Sequence, residues 1–229
     1  MSAVYPGGVP VLKGISFAVA RGERVALIGA NGAGKTSLLL ALVGILPLSA
    51  GSIHIDGLVL QAGVQDKDVL KKLRVKTGLV FQNPEDQLFM PGIYEDLAFG
   101  PRNMGLGEDE VRRRVEAALT LLGIAQLRDR SSLKLSGGEQ RLAALATVLT
   151  MEPDLMLFDE PTAFLDPRAR RCLIRTLISL PHTKLIATHD IGFALEVCDR
   201  AVLLREGSVF AAGPITLLTD PDLMDRCGL

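Results

Sequence analysis

The sequence has no excess of charge of either sign. Its 229 residues include 25 Lys and Arg against 26 Asp and Glu, which gives a net charge near −1. Proteins that bind nucleic acid usually carry a basic excess, because contacts to phosphate dominate their affinity. Nucleic acid is therefore not an expected partner.

Long hydrophobic runs are also missing. No apolar run approaches the roughly 18 residues that a transmembrane helix requires, and the first residues, MSAVYPGGVPVL, lack the basic and apolar segments of a signal peptide. Any role at a membrane would have to come through a partner protein.

Cysteine is scarce. Cys172, Cys198 and Cys227 are scattered and odd in number, which is typical of reduced intracellular thiols and argues against a disulfide framework. His54 and His182 are isolated and have no further ligands at metal-binding spacing, so a structural metal cluster is not expected.

What the sequence does contain is apolar runs that alternate between strand-like and helix-like patterns. Hydrophobic residues make up 48% of the chain, enough for a sizeable core. Strands are predicted at 24–28, 52–55, 78–81, 154–158, 184–187 and 200–205, with one further short strand after residue 11. Helices are predicted at 37–45, 66–73, 93–99, 108–122, 138–151, 167–179 and 190–197.

This alternation predicts an α/β fold with a mostly parallel sheet and an antiparallel β edge. The stretch from 83 to 150 is helix-rich and has no strong strand. We therefore expect an α/β core formed by 1–82 and 151–229, with a helical subdomain, 83–150, inserted between its halves.

A phosphate-binding loop is the first chemical motif. It fits the pattern G-x-x-x-x-G-K-[ST], and Ser37 follows it. The residues of the motif are Gly29, Ala30, Asn31, Gly32, Ala33, Gly34, Lys35 and Thr36. Glycines let backbone N–H groups converge on an anion, Lys35 adds charge for the β- and γ-phosphates, and Thr36 offers a hydroxyl to Mg²⁺. The alternative is a plain glycine-rich turn, but a buried strand precedes the motif and a helix follows it, as a phosphate loop requires.

An acidic pair is the second motif. The apolar run 155–158 delivers Asp159 and Glu160 to the end of a buried strand. Ligands of parallel sheets lie at the carboxyl ends of the strands. Asp159 is thus a candidate for the Mg²⁺ shell, and Glu160 a candidate general base. The alternative is a pair of solvated acids at a turn.

The third motif is the segment 135–141, which reads LSGGEQR. Ser136 is a plausible helix N-cap, with Glu139 three residues later completing a capping box. A well-capped helix is the simple interpretation. The start of this helix is also a second potential anion-binding site in the same chain.

With these three motifs the sequence resembles the ATPase subunits of ABC transporters, whose signature is LSGGQ-like. The resemblance covers nearly the whole chain and implies ATP and Mg²⁺ as ligands. It also implies that Ser136, Gly137, Gly138 and Glu139 contact the γ-phosphate of an ATP molecule that a second ATPase subunit holds, so that two chains enclose two ATP molecules.

Four further positions match the family. Tyr5 matches an aromatic that stacks on adenine, and Gln82 matches a glutamine that senses Mg²⁺ and the attacking water. Asp166, in the segment AFLD, matches the D-loop, and His189 matches a histidine that contacts the γ-phosphate. Each match alone is weak, since a tyrosine can simply pack and a histidine can simply end a strand.

Two segments narrow the resemblance, namely FQNPEDQLF at 81–89 and EDLAFGP at 95–101. Both look like the ATPases of energy-coupling-factor importers, in particular the cobalt- and nickel-type subgroup. This implies a peripheral protein at the cytoplasmic face of the membrane. Its partners would be a transmembrane coupling protein, a membrane protein that captures a metal ion or vitamin, and a second ATPase subunit, either an identical chain or a close paralogue.

The coupling proteins of such importers present arginine-containing helices. We therefore hypothesise that Glu85 and Asp86, beside apolar Leu88 and Phe89, help to receive such an arginine. The alternative is that both are solvated loop acids.

The sequence departs from the family pattern at several points. Phe164 stands where a small residue or glycine is common. Only four residues precede Tyr5, where relatives usually carry another strand, so we expect that this strand is absent or that the start codon lies upstream. Many relatives also continue beyond the position of residue 229 with a dimerisation extension.

Two other functions are alternatives. A soluble ABC ATPase acting on nucleic acid or the ribosome usually carries a long coiled-coil insertion or two fused ATPase domains, and this chain has neither. A module that binds ATP without hydrolysing it would not need Glu160 and His189.

Overall fold

The chain folds into two compact units. The computed structural model describes residues 1–64 and 66–229. The first unit, here called the α/β unit, consists of Met1–Leu79, Asp154–Glu160 and Pro181–Leu229. The second, here called the helical unit, consists of Val80–Pro153 and Pro161–Leu180.

A six-stranded sheet is the centre of the α/β unit. Its strands are β3 (Arg24–Ile28), β7 (Thr77–Val80), β8 (Leu155–Asp159), β9 (Thr183–Thr188), β10 (Arg200–Arg205) and β11 (Ser208–Pro214). Their spatial order is β11-β10-β3-β9-β8-β7. The pairs β10–β3, β3–β9 and β8–β9 are parallel, whereas β11 pairs antiparallel with β10 at one edge.

The middle strands are the continuous apolar runs of the sequence. Val25–Ile28 of β3 and Met156–Phe158 of β8 are buried almost completely. Because helices and loops cover both faces of a parallel sheet, such strands need no alternation of polar and apolar residues. Because β3 and β8 both run parallel to β9, the carboxyl ends of these strands lie at one common edge of the sheet.

Two small antiparallel sheets complete the β structure of this unit. Their strands are β1 (Ser2–Val4), β2 (Pro10–Leu12), β4 (Leu48–Ala50), β5 (Ser52–Ile55) and β6 (Leu58–Gln61). The first sheet has the order β2-β1-β4, and the second is the hairpin β5-β6. The helices of the unit are α1 (Lys35–Leu42), α2 (Lys67–Lys76), α7 (Ile191–Val197) and α8 (Pro221–Cys227).

The helical unit is built on four helices, which are α3 (Ile93–Asn103), α4 (Glu108–Leu121), α5 (Gly137–Leu149) and α6 (Pro167–Ser179). Helix α5 packs against the other three. Its apolar residues, including Ala143 and Leu145, are buried together with Leu97 of α3 and Leu119 of α4. The Ala-rich composition of α5 allows this close packing, since small side chains let helix axes approach.

The predicted α/β class, with a mostly parallel sheet and an antiparallel edge, is confirmed. The predicted helix 37–45 is shifted. Helix α1 begins at Lys35 and ends at Leu42, and Gly44 follows in the left-handed region with φ 68°. Strand β1 precedes Tyr5, since Ser2–Val4 pair with both β2 and β4, so the first of the two expected alternatives, that this strand is absent, is wrong.

Four more elements were not foreseen: β4, β6, β11 and α8. The boundary between the units also differs from the proposed one. Residues 161–180, which the sequence division assigned to the core, group with the helical unit, because α6 packs on α5. That the α/β unit binds nucleotide and the helical unit carries the signature segment as its functional part stays a proposal. Within the described ranges, no helix combines the length and the apolar character needed to cross a bilayer.

Candidate active site

The phosphate-loop sequence connects β3 to α1 in the α/β unit. Gly34 is the N-cap of α1 and has φ 103°, a conformation that disfavours every residue with a Cβ atom. Gly29 is required for a different reason, since a Cβ atom there would lie 2.5 Å from the carbonyl oxygen of Leu204. The loop therefore keeps its shape only with glycine at these two positions.

Lys35 is buried at the centre of this loop. Its Nζ donates to the carbonyl oxygen of Gly29 at 2.7 Å and lies 3.7 Å from Oε1 of Glu160. The side chain is 8% exposed. An ammonium group in this position supplies the positive charge that a phosphate needs and balances the nearby carboxylate.

Asp159 ends β8 next to the loop. Its Oδ2 accepts a hydrogen bond from Oγ1 of Thr36 at 2.8 Å, while Oδ1 is buried and has no protein partner among the described residues. Burial raises the pKa of this carboxyl group, and the neighbouring Glu160 raises it further. A buried carboxylate oxygen without a partner, beside a threonine hydroxyl, offers the hard oxygen ligands that Mg²⁺ prefers.

These residues fit Mg²⁺ as a ligand shared with phosphate. Within the chain as described, no cluster of three or more His, Cys, Asp or Glu side chains has metal-binding geometry. Mg²⁺ usually takes only one or two protein ligands and completes its shell with phosphate and water. Thr36 and Asp159 would therefore be sufficient to hold it.

Glu160 has an unusual backbone. Its φ is 43°, in the left-handed region, and its N–H donates to the carbonyl oxygen of Ala187 at 2.8 Å. Oε2 accepts hydrogen bonds from Oγ1 of Thr188 at 3.0 Å and from N–H of His189 at 3.3 Å. Such a conformation is costly for a residue other than glycine and is typical of functional sites.

His189 completes this group. Its Nδ1 lies 2.9 Å from Oε1 of Glu160, and 65% of its side chain is exposed, against 10% for the glutamate. The imidazole thus reaches outward from a carboxylate that is otherwise enclosed. A buried acid in contact with an accessible histidine is an arrangement suited to moving or holding a proton.

Tyr5 lies beside the same helix. Its hydroxyl is 2.8 Å from Oγ of Ser37, and 40% of the residue is exposed. The α/β unit therefore brings together Tyr5, the loop 29–37, Asp159, Glu160 and His189. The other predicted site residues, Gln82, Ser136–Glu139 and Asp166, belong to the helical unit.

The signature segment forms the start of α5. Oγ of Ser136 accepts from N–H of Glu139, and Oε2 of Glu139 accepts from N–H of Ser136 at 2.8 Å, so the predicted capping box is present. Hydrogen bonding from Ser136 lowers the pKa of Glu139. The carboxylate is thus engaged within its own helix, while Gly137 has open space on its Cα.

Asp166 and Gln82 occupy the ends of other elements. Oδ1 of Asp166 accepts from N–H of Arg168 at 2.8 Å and of Ala169 at 2.9 Å, which makes it the N-cap of α6. Gln82 follows β7 and is half-buried. Of the two apolar residues expected beside Glu85 and Asp86, Phe89 is exposed and Leu88 is buried. The prediction that Leu88 contributes to an exposed apolar surface is therefore wrong.

Three further residues that hold these segments in place were not predicted from the sequence. Arg141 is buried and donates to the carbonyl oxygens of Phe81 at 2.9 Å and Ala163 at 3.3 Å. Gln87 donates through Nε2 to Oγ1 of Thr147 at 2.7 Å and accepts from N–H of Phe81. Thr188 supports Glu160, as described above. Arg141 had a visible signal, since a charged residue near the start of an apolar helix must find a partner.

A cavity of about 650 Å³ lies elsewhere in the α/β unit, between residues 15–21 and 51–56. None of the predicted site residues lines it. The cavity therefore has no part in the arrangement around Lys35.

The chain is similar in sequence to a known protein family and to curated proteins. The sequence profile described as ABC transporter matches residues 12–163. Among curated relatives, the energy-coupling factor transporter ATP-binding protein EcfA of Methanothermobacter thermautotrophicus is 45% identical over 233 residues, covering 100% of this chain and 74% of that protein.

Two solved structures are also similar. CbiO1 from Clostridium perfringens, described as part of the ABC transporter complex CbiONQ, has a TM-score of 0.83 and 38% identity, covering 98% of this chain and 90% of that one. The dimeric ATP-binding cassette MJ0796, in a post-hydrolysis state with ADP and Pi, has a TM-score of 0.80 and 26% identity, covering 93% and 96%. These similarities confirm the predicted α/β fold with a phosphate-binding loop, which is the fold of a P-loop NTPase.

Proposed function

This chain belongs to the ABC transporter family of ATP-binding proteins, and we propose that it is the ATP-hydrolysing subunit of an energy-coupling-factor importer. Membership of the family implies that the chain binds ATP and that the family's chemistry is ATP hydrolysis. The importer class is supported by the names of two relatives, EcfA and CbiO1.

One observation carries the enzymatic part of the proposal. At the carboxyl ends of β3, β8 and β9, Lys35 lies 3.7 Å from Glu160, and Glu160 lies 2.9 Å from His189. Lys35 neutralises phosphate charge, Glu160 accepts the proton of the attacking water, and His189 holds Glu160 in place and reaches the γ-phosphate. When bound, Mg²⁺ neutralises charge on the phosphates, and Thr36 and Asp159 hold it.

Other roles rest on the resemblance. Tyr5 stacks on the adenine. Gln82 senses Mg²⁺ and the water, and Asp166 belongs to the D-loop. Residues 136–139 contact the nucleotide of a second ATPase subunit. The substrate is a cobalt or nickel ion or a vitamin, captured by a separate membrane protein, and this chain acts at the cytoplasmic face.

Replacing Glu160 by glutamine tests the proposed chemistry. The amide keeps the shape and hydrogen bonding of the side chain but does not accept the proton. ATP binding should persist while phosphate release with Mg²⁺ falls at least about tenfold, or about 1.4 kcal/mol of barrier. Glu152→Gln is a matched control, since Glu152 also has a positive φ, 52°, but is exposed in the helical unit. A smaller loss for Glu160→Gln would remove this residue as the principal base.

Glu85 and Asp86 test the membrane partner. Both are exposed on a short turn of 3₁₀-helix, and Phe89 and Phe99 make an exposed edge-to-face pair in the same unit, with ring centroids 5.0 Å apart. Acids near exposed aromatics suit a helix that presents arginine.

The double variant Glu85→Ala, Asp86→Ala should lose co-purification with the transmembrane coupling protein and keep the ATPase activity of the free chain. A buried pair would cost about 2–5 kcal/mol and an exposed one less than about 1. Undiminished complex formation would show that these carboxylates lie outside the interface.

A further inference from the structure

Phe81, the residue before Gln82, is held at both of its backbone polar groups. Its N–H donates to Oε1 of Gln87 at 3.2 Å, and its carbonyl oxygen accepts from Nη1 of Arg141 at 2.9 Å. The carbonyl group of Phe81 and the N–H of Gln82 lie in one rigid peptide plane. The side chains of Gln87 and Arg141, here called the clamp, therefore fix the direction in which the chain enters Gln82.

The side-chain amide of Gln87 has one orientation that satisfies all of its partners. While Oε1 accepts from Phe81, Nε2 donates to the carbonyl oxygen of Ala144 at 2.8 Å and to Oγ1 of Thr147 at 2.7 Å. Exchange of the amide oxygen and nitrogen would set donor against donor at Phe81 and acceptor against acceptor at Ala144. Gln87 therefore joins the backbone of Phe81 to helix α5 in a fixed geometry.

The guanidinium of Arg141 is buried without an acidic partner. The residue is 3% exposed, and in the part of the chain that the structure describes it forms no ion pair and its Nε has no hydrogen-bond partner. A buried charge is costly unless polar groups satisfy it. The carbonyl oxygens of Phe81 and Ala163 do so, at 2.9 and 3.3 Å. Movement of Phe81 away from Arg141 would thus expose a buried charge to further loss of its acceptors.

The clamp uses one face of α5. Arg141, Ala144 and Thr147 follow one another at intervals of three residues, which places them on the same side of the helix. That helix begins at the signature segment, with Ser136 as its N-cap. The backbone before Gln82 is therefore attached to the helix that carries the signature segment, and both belong to the helical unit.

We propose that Arg141 and Gln87 are positioning residues that set the place of Gln82 for ATP hydrolysis. The inference rests on the proposed function, in which Gln82 senses Mg²⁺ and the attacking water. It adds the two side chains through which α5 controls that glutamine. Both act through the backbone of Phe81, so neither has to touch the nucleotide. Small displacements matter in such a role, because a misplacement of about 1 Å can slow a reaction about 100-fold.

Single variants of the full-length chain separate positioning from stability alone. Arg141→Lys keeps the positive charge but replaces the fork of donors by one ammonium group. Gln87→Leu keeps the size of the side chain and removes its hydrogen bonds. Thr150→Val is the matched control, since Thr150 is 1% exposed at the end of the same helix and its Oγ1 donates to the carbonyl oxygen of Leu97 at 2.9 Å.

The two clamp variants should lower kcat for Mg²⁺-dependent phosphate release at least about fivefold and change KM for ATP by less than about twofold. KM should persist because the phosphate loop takes no part in the hydrogen bonds of the clamp. The Mg²⁺ concentration for half-maximal activity should rise. Thr150→Val should lose stability in chemical denaturation and keep kcat. A loss of kcat in Thr150→Val as large as in the clamp variants would show that stability, and not positioning, is responsible.

Double variants test whether the clamp acts through Gln82. In the Gln82→Ala background, adding Arg141→Lys or Gln87→Leu should slow hydrolysis by less than about twofold, because the side chain that they position is gone. An undiminished further loss in the double variants would overturn the inference. So would a Gln82→Ala variant that hydrolyses ATP at the rate of the parent.

Hydrogen exchange tests the clamp without nucleotide. In Gln87→Leu the amide of Phe81 loses its acceptor and should exchange at least about tenfold faster than in the parent, as followed by mass spectrometry of a peptide spanning residues 80–88. In Thr150→Val the exchange of this peptide should equal that of the parent. Unchanged exchange in Gln87→Leu would remove this residue from the clamp.

Failure of the inference differs from failure of the proposed function. A parent chain that releases no phosphate from Mg²⁺-ATP would overturn the proposed function and the inference with it. A parent that hydrolyses ATP, beside clamp variants that hydrolyse it equally fast, would overturn the clamp alone.

Discussion

In the α/β unit, Lys35, Asp159 and Glu160 are each less than a tenth exposed, whereas in the helical unit Ser136 and Gly137 are exposed at the start of a helix. The buried groups hydrogen-bond to one another or to nearby backbone. Among the exposed residues, Ser136 hydrogen-bonds with Glu139 at the start of its own helix. Charges held in a low-dielectric environment interact strongly and are fixed before a ligand binds.

The contrast shows that the charged groups of the α/β unit are held by contacts within the chain, whereas Ser136 and Gly137 of the helical unit stay open to solvent. Strain follows the same division. Glu160, at φ 43°, uses its backbone geometry to contact His189 within the chain, and Phe164, at φ 62°, uses a similar geometry to project its ring outward. The variants below test this contrast.

The largest effect is expected from Lys35→Ala. Removing the ammonium deletes the positive charge that phosphate meets and leaves Glu160, 3.7 Å away, to repel it. ATP affinity should fall at least about 100-fold, or about 2.7 kcal/mol, as measured by titration with a fluorescent nucleotide. Lys134→Ala, a change at an exposed residue of the helical unit, is the control. Affinity like that of the parent in Lys35→Ala would contradict the phosphate-loop assignment.

An intermediate effect is expected from Arg141→Met in the helical unit. The carbonyl oxygens of Phe81 and Ala163 would lose their buried donor, which should lower the free energy of unfolding by about 2 kcal/mol. Arg113→Met removes an exposed ion pair with Glu110 and should change the free energy of unfolding by less than about 1 kcal/mol. Chemical denaturation measures both. Equal losses of unfolding free energy in the two variants would show that the buried guanidinium of Arg141 does not stabilise this unit more than an exposed ion pair does.

The smallest effect is expected on the free energy of unfolding when either of two buried aspartates is replaced. Burial raises the pKa of Asp159 and also of Asp96, which accepts from N–H of Phe89 and Met90. A carboxyl whose folded-state pKa is raised favours folding when protonated, and this contribution is lost as pH rises through the folded-state pKa. At neutral pH both ionised groups therefore cost stability.

Asp159→Asn should accordingly raise the free energy of unfolding at pH 7 by about 1 kcal/mol, and the gain should shrink toward pH 4. Asp96→Asn should shift stability in the same direction. The two variants should separate in function, since Mg²⁺-dependent phosphate release should disappear only in Asp159→Asn. A destabilised Asp159→Asn at pH 7 would contradict the assigned cost of burial.

The parallel sheet was predictable because its strands are continuous apolar runs with polar ends. The short strands β1, β4, β6 and β11 were not, since three to seven residues of mixed pattern become strands only through pairing with distant segments. The same limit explains the shifted start of α1, where the loop glycines determine the first helical residue.

For the candidate site, the motifs identified Lys35, Asp159, Glu160 and His189 by residue type and by position after a strand. They did not reveal how each is held. Thr188 supports Glu160, and Arg141 links two turns, through contacts between segments that are far apart in the chain. A local pattern carries no information about such partners.

The sequence alone determined which groups are available: a glycine loop with a lysine, two acids after a buried strand, a histidine after another, and a capped helix start. That these groups meet depends on the assembled fold. Parallel pairing of β3 with β9 and of β9 with β8 aligns three strand ends that are remote in sequence. This alignment places Glu160 between Lys35 and His189, and burial at the same edge raises the pKa of Asp159, because burial and charge proximity arise only when the strands are assembled.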